Sequence, residues 1–150
     1  MSDTTSSRQL VVFSLGTEEY ALPIAAVSEI IRATEPRSVA SEVAWIRGVI
    51  GLRGKIIPIY DLAARLELPA TAATGAPGKF VILETGGDQV GVMVDEVQEV
   101  LTVEATQLEQ VPTADTVTIE AIAKIGDRLV ILLNPEGLFA GDAADELAAA

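Results

Sequence analysis

Residues 11–31, VVFSLGTEEYALPIAAVSEII, and residues 81–101, VILETGGDQVGVMVDEVQEVL, align without a gap at an offset of 70. Gly16 falls on Gly86, Glu18 on Asp88, and Val27-Ser28-Glu29-Ile30-Ile31 on Val97-Gln98-Glu99-Val100-Leu101. At an offset of 73, KIIPIYDLAARLEL falls on RLVILLNPEGLFAG, so that Asp61 meets Asn134. Either side chain suits the N-cap of a short helix, and Pro135 suits the first helical position, where a missing N–H costs nothing. Any two strands resemble each other in alternation. Turns, strands and caps matched in one order point instead to duplication, and duplication restricts the chain to folds built from two like units.

Period-two alternation dominates both copies. The predicted strands are QLVVFSL (9–15), EYALPI (19–24), GVIGLRG, KIIPIYD, KFVILET (79–85), QVGVMVDE (89–96), VQEVLTV (97–103) and RLVILLN (128–134), short and rich in β-branched residues. Gly16-Thr17-Glu18 and Gly86-Gly87-Asp88 suit hairpin loops. The expected fold class is all-β, two five-stranded barrel units with short helices. A lone unit of roughly 65–70 residues is marginal, so each is expected to lean on the other. One domain is expected over 9–140, in units of roughly 9–67 and 79–140 with strands free to cross between them. The boundary falls in LPATAATGAPG (68–78), small residues with Pro and Gly, and 1–8 and 141–150 are expected to be flexible tails.

Charge and missing residue types exclude several function classes. Ten Lys and Arg stand against 22 Asp and Glu, a net charge of -12. Nucleic acid needs clustered cations to neutralise phosphate, and a single-strand-binding barrel needs stacking aromatics over a basic groove; one Trp, two Tyr and three Phe are too few. There is no histidine and no cysteine, hence no imidazole base, no thiol nucleophile and no disulfide. A hydrolase would rest on carboxylates, but Glu18-Glu19 and Asp95-Glu96 are neighbours on strands and point to opposite faces. The glycines of GVIGLRG lead into another strand, whereas a phosphate loop leads into a helix N-terminus. No catalytic residue, metal ligand or cofactor is therefore expected. The polar start MSDTTSSR lacks a signal-peptide pattern, and the apolar run Leu129–Leu133 is far too short to span a bilayer. The expectation is a soluble, cytoplasmic protein without membrane insertion.

The segments VFSLGTEEYALPI, VSEIIR, WIRGVIGLRGKIIPIYDL, VGVMVDEVQEVL and GDRLVILLNPEGL, in this order from about residue 9 to 140, resemble the CheW-type coupling proteins of bacterial chemotaxis. The resemblance implies two intertwined SH3-like β-barrels and no enzymatic activity. It implies an adaptor that joins the tip of methyl-accepting chemoreceptors to the regulatory domain of the chemotaxis histidine kinase in signalling arrays. Gly51 departs from the family, which often has asparagine before Leu-Arg-Gly. Two alternatives remain: the regulatory domain of such a kinase, or a barrel module for another ligand. The initiator Met and short polar lead-in fit a whole gene product better than a piece of a kinase.

The resemblance implies a groove between the units that takes the helical receptor tip, with PIAAVSEII along one wall. Ile24 and Val27, three apart in a one-turn helix before a strand, are the candidates there, and Val94 and Val97 of the second copy are candidates for the other wall. An apolar helix laid in such a groove anchors at helical spacing. Arg53, between Leu52 and Gly54, has Glu29 as its natural partner, because a planar guanidinium grips a carboxylate as a fork. That pair either pins two segments of the first barrel or shapes the groove edge. Its counterpart in the second copy is Gly126, so the barrel itself does not demand the arginine. Trp45 is expected to pack against the first barrel. The loop 34–42, with Arg37 and Val39, is the candidate kinase contact.

Overall fold

The computed structural model describes residues 7–38, 45–66, 78–85, 87–110 and 118–139. The first copy contributes β1 (Ser7–Leu15), β2 (Glu18–Pro23), a 3₁₀ turn (Ile24–Ala26), β3 (Val27–Arg32), β4 (Ile46–Leu52), β5 (Lys55–Asp61) and α1 (Leu62–Arg65). The second contributes β6 (Lys79–Thr85), β7 (Asp88–Val94), β8 (Glu96–Glu104), a 3₁₀ turn (Ala105–Gln107), β9 (Leu108–Glu109), β10 (Ile119–Ile125), β11 (Arg128–Leu133) and α2 (Pro135–Phe139). The fold is all-β with short helices, as the alternation predicts. Asp61 accepts from the Ala64 N–H and Asn134 from the Glu136 N–H, both at 3.2 Å, so both expected caps form.

The strands fall into two sheets, ordered β8-β1-β2-β11-β10-β9 and β3-β6-β7-β5-β4. Replacing each strand by its repeat counterpart turns one order into the other, with β9 as the addition. The copies have traded hairpins: β1–β2 of the first is built into the second copy's sheet, and β6–β7 of the second into the first's. A parallel pairing seals each exchange, β11 with β2 and β5 with β7. The sheets therefore do not coincide with 9–67 and 79–140. Each also curls back on itself. β9 returns to pair with Ile122 and Ala123 of β10, and in the first copy Arg37 makes the equivalent bridge to Val49 of β4, with two 2.8 Å hydrogen bonds.

This exchange explains the apolar runs LVVFSL and FVIL. A strand covered on both faces is apolar at successive positions rather than alternate ones. Leu10, Val12, Ala21, Val130 and Leu132 form the interior of one barrel, and Ile57, Ile59, Phe80 and Ile82 that of the other. The opposite faces, including Phe13, Leu22, Leu83 and Val92, meet with Tyr60, Leu62, Leu133 and Leu138 in a cluster that fills the seam between them.

One boundary and one strand differ from expectation. Ser7 and Arg8, assigned to a flexible tail, extend β1 opposite Glu104 and Val103, and Arg8 pairs with Glu120 of β10 at 2.5 Å. Polar residues satisfy a strand edge as well as apolar ones do, and their composition hides the pairing. β10 is absent from the predicted strands because IEAIAKI is rich in helix formers; burial of Ala121 and Ala123 in the sheet overrides that preference. Residues 141–150 and most of 68–78 lie outside the described residues.

Candidate functional site

The 3₁₀ turn Ile24–Ala26 touches β1 and β6, one strand from each sheet, and so sits astride the seam. It leaves Ile24 39% exposed and passes Ala26 and Val27 to the edge of the seam cluster. Val97 packs partly buried against the same cluster. The structure thus brings Val27 and Val97, repeat-equivalent residues, to one apolar seam, with Ile24 exposed on the turn that leads into Val27. Val94 does not belong to that surface. It is 1% exposed within the seam cluster, because it shares the inward face of β7 with Val90 and Val92.

Arg53 occupies the β4–β5 turn with φ 53°, the one non-glycine residue at positive φ among those described, followed by Gly54 at φ 80°. Two successive positive φ values make the two-residue turn whose twist matches a hairpin, a turn that favours Asn-Gly or Gly-Gly. Gly126 takes the corresponding first position of the β10–β11 turn at φ 60°, without a second positive φ after it. An arginine in this conformation is strained, and such strain persists where the side chain has a use. The Arg53 guanidinium pairs with Glu29 of β3, and that hydrogen bond holds it still more firmly charged. Glu29 is three-quarters covered while Arg53 remains 70% exposed.

The second barrel has an arginine on the equivalent glutamate as well. Glu99, the counterpart of Glu29, accepts from Arg128 Nη2 at 2.8 Å. Arg128 also grips Glu19 of β2 through Nε and Nη2 at 3.0 and 3.1 Å. Its position is two residues beyond the counterpart of Arg53, on the strand instead of the turn. Each barrel thus has a guanidinium on this glutamate, supplied from a different position. The first copy differs in presenting it from a strained, exposed turn. The alignment hid Arg128; the match of Glu99 to Glu29 was the available signal.

Trp45 packs partly buried against the seam cluster, which includes Tyr60 and Leu62 of the first copy, with the Arg65 guanidinium 5.3 Å above its ring. Arg65 Nε donates to the Leu138 carbonyl at 3.0 Å, joining α1 to α2 across the seam. Arg37 is an exposed side chain on the barrel-closing bridge, and Val39 lies outside the described residues. Among the described residues no three acidic groups gather as a metal site, and no helix is long and apolar enough to cross a membrane.

Two traded β-barrels around an apolar seam match one family over nearly the whole chain: the CheW-like domain covers residues 9–143. The chain belongs to the CheW family. Relatives include the chemotaxis protein CheW of Bacillus subtilis (strain 168), 32% identical over 89% of this chain and 87% of that protein. The chemotaxis protein CheW of Klebsiella aerogenes is 30% identical over 95% of this chain and 87% of its own length. The crystal structure of the scaffolding protein TtCheW from Thermoanaerobacter tengcongensis superposes with a TM-score of 0.82 at 33% identity, covering 90% and 89% of the two chains. CheW membership accounts for the traded barrels. It leaves the individual roles of Ile24, Val27, Val97, Glu29 and Arg53 to physical argument.

Proposed function

We propose that this chain is a non-enzymatic, cytoplasmic chemotaxis adaptor that couples the tip of methyl-accepting chemoreceptors to the regulatory domain of the chemotaxis histidine kinase. The observation that carries the reading is the CheW-like match across residues 9–143, with relatives named as chemotaxis proteins and a neighbour named as a scaffold. The fit to chemotaxis CheW proteins over most of their length favours an adaptor over a kinase regulatory domain or a barrel for another ligand. The absence of histidine and cysteine from the sequence agrees with an absence of catalysis.

The receptor helix docks at the seam, against Ile24, Val27 and Val97, with Arg53 and Glu29 at its edge. Three observations support this placement: an exposed isoleucine on a turn between the sheets, two valines half-covered on one apolar cluster, and a strained arginine held toward solvent. A helix in a groove is read through a few apolar anchors surrounded by polar rim. The kinase is assigned to the face around Arg37, on the bridge that closes the first barrel; Val39, the other candidate, lies outside the described residues.

Co-sedimentation with a receptor-tip hairpin and the kinase regulatory domain tests the reading. The wild type is expected in a ternary complex. Ile24→Asp is expected to release the receptor and retain the kinase. Failure of the wild type to join both partners, or an Ile24→Asp variant that still holds receptor, overturns it.

A further inference from the structure

The two valines at the seam reach it by the same irregularity. β3 sets Val27 opposite Leu83 but Glu29 opposite Ile82, and β8 sets Val97 opposite Phe13 but Glu99 opposite Val12. Ser28 and Gln98 are extra residues, so each strand carries a β-bulge. Residues two apart on a regular strand share a face. Here Leu83 and Phe13 look toward the seam while Ile82 and Val12 look into their own barrels. The bulge therefore sends the valine to the seam and the glutamate to the rim of its own barrel. Bulges re-aim side chains in this way.

In the second barrel the holding contact is well defined. Arg128 lies on β11 and its fork holds Glu19 on the adjacent β2. The same guanidinium donates across β1 to Glu99 on the edge strand β8 at 2.8 Å. A bidentate fork on one carboxylate with a further N–H on a second is a geometry that the planar guanidinium fixes and the freely rotating ammonium of lysine does not. Glu99 is the residue just past the bulge, so the tether acts where β8 chooses which residue faces the seam.

We propose that Arg128 is a positioning residue for the docking groove: through Glu99 it fixes the β8 bulge that turns Val97 onto the seam. This rests on the groove reading above. Arg128 acts through the backbone of β8, because Glu99 and Val97 face opposite ways.

The test uses the full chain. Methyl NMR follows Val27 and Val97, titration with a soluble hairpin bearing a chemoreceptor's cytoplasmic tip measures binding, and melting curves monitor the fold. Arg128→Lys and Arg128→Gln are expected to move the Val97 methyl resonances and leave those of Val27 in place. They weaken hairpin binding about three- to tenfold, the range for a residue that acts through a neighbour. Glu99→Ala is expected to match them, while Glu99→Gln, which keeps an oxygen acceptor for Arg128 Nη2, recovers most of the binding. Val97 resonances that stay put in both Arg128 variants overturn the proposal. So does a general loss of structure in which the melting temperature falls steeply and Val27 moves as far as Val97. Val97→Ala separates the two readings. If it weakens binding while Arg128→Gln does not, positioning is refuted and the groove stands; if it binds as the wild type does, the groove reading falls and the proposal with it.

Discussion

Replacing Arg53 by glycine should leave a more stable fold than replacing it by alanine, and either change should destroy the function. The turn residue sits at φ 53° and its repeat counterpart is already Gly126, at φ 60°. The informative comparison is Arg53→Gly against Arg53→Ala, because both lack the guanidinium and the loss of the Glu29 pair cancels between them. For an L residue the left-handed conformation costs about 1–2 kcal/mol relative to glycine. Glycine's greater freedom in the unfolded chain returns about 0.4–1 kcal/mol of that. The balance, roughly 0.5–1 kcal/mol in favour of glycine, corresponds to about 1–4 °C in melting temperature for a chain of this size. Thermal melts of the two variants should therefore separate, with glycine higher. In a reconstituted assembly with receptor and kinase, both should fail to support kinase activation. If alanine melts as high as glycine, the turn is not strained in solution. If Arg53→Gly activates kinase normally, the guanidinium is not at a docking edge, and strain has been kept there for no functional reason.

Other consequences concern packing, pH and topology. A Cβ on Gly91 would lie 2.6 Å from Ile59 Cδ1, so Gly91→Ala should cost about 1–3 kcal/mol by overpacking; adding Ile59→Val removes the offending methyl and should recover most of the loss in denaturant melts. Burial pushes the Tyr60 hydroxyl up to about 12 from 10.0, so the folded state holds that proton more tightly than the unfolded chain. Its contribution to stability is whole below pH 10 and lost as pH rises through 12; the melting temperature should fall across that window less steeply in Tyr60→Phe, with a remainder from Tyr20, raised by burial and then by Glu18. Cleavage between Leu66 and Gly78 should leave fragments that give no cooperative melt alone and recover one when mixed, since each supplies two strands to the other's sheet; two independently folding halves would contradict the exchange.

The repeat was legible because turns and caps carry chemistry beyond alternation: Asp61 and Asn134 cap helices at matched places. The exchange of hairpins was not, since alternation tells which face a residue takes and says nothing of which strand lies alongside. Val94 could have been placed correctly, two residues beyond Val92 on an inward face. The bulges at Ser28 and Gln98 could not, because a bulge is a relation between two strands and leaves its own segment looking regular. Arg128 was not legible because the repeat sets Arg53 on Gly126, whereas a side chain as long as arginine reaches the equivalent glutamate from two residues away.

The traded hairpins also set a timetable for synthesis. β2 completes its sheet beside β11, and the Arg128–Glu19 grip spans 109 residues of sequence. At about 5–20 residues per second, roughly 5–20 s separate the two segments at the ribosome. Throughout that interval β2 lacks its lateral partner β11, and the LVVFSL strand, destined for cover on both faces, lacks β8 until residue 104 has been made. The nascent N-terminal hairpin is thus an adhesive edge for as long as the rest of the chain is being made. Crowded polysomes translating this message bring many such edges together, and chaperone capture during translation would govern yield more than the stability of the finished barrels.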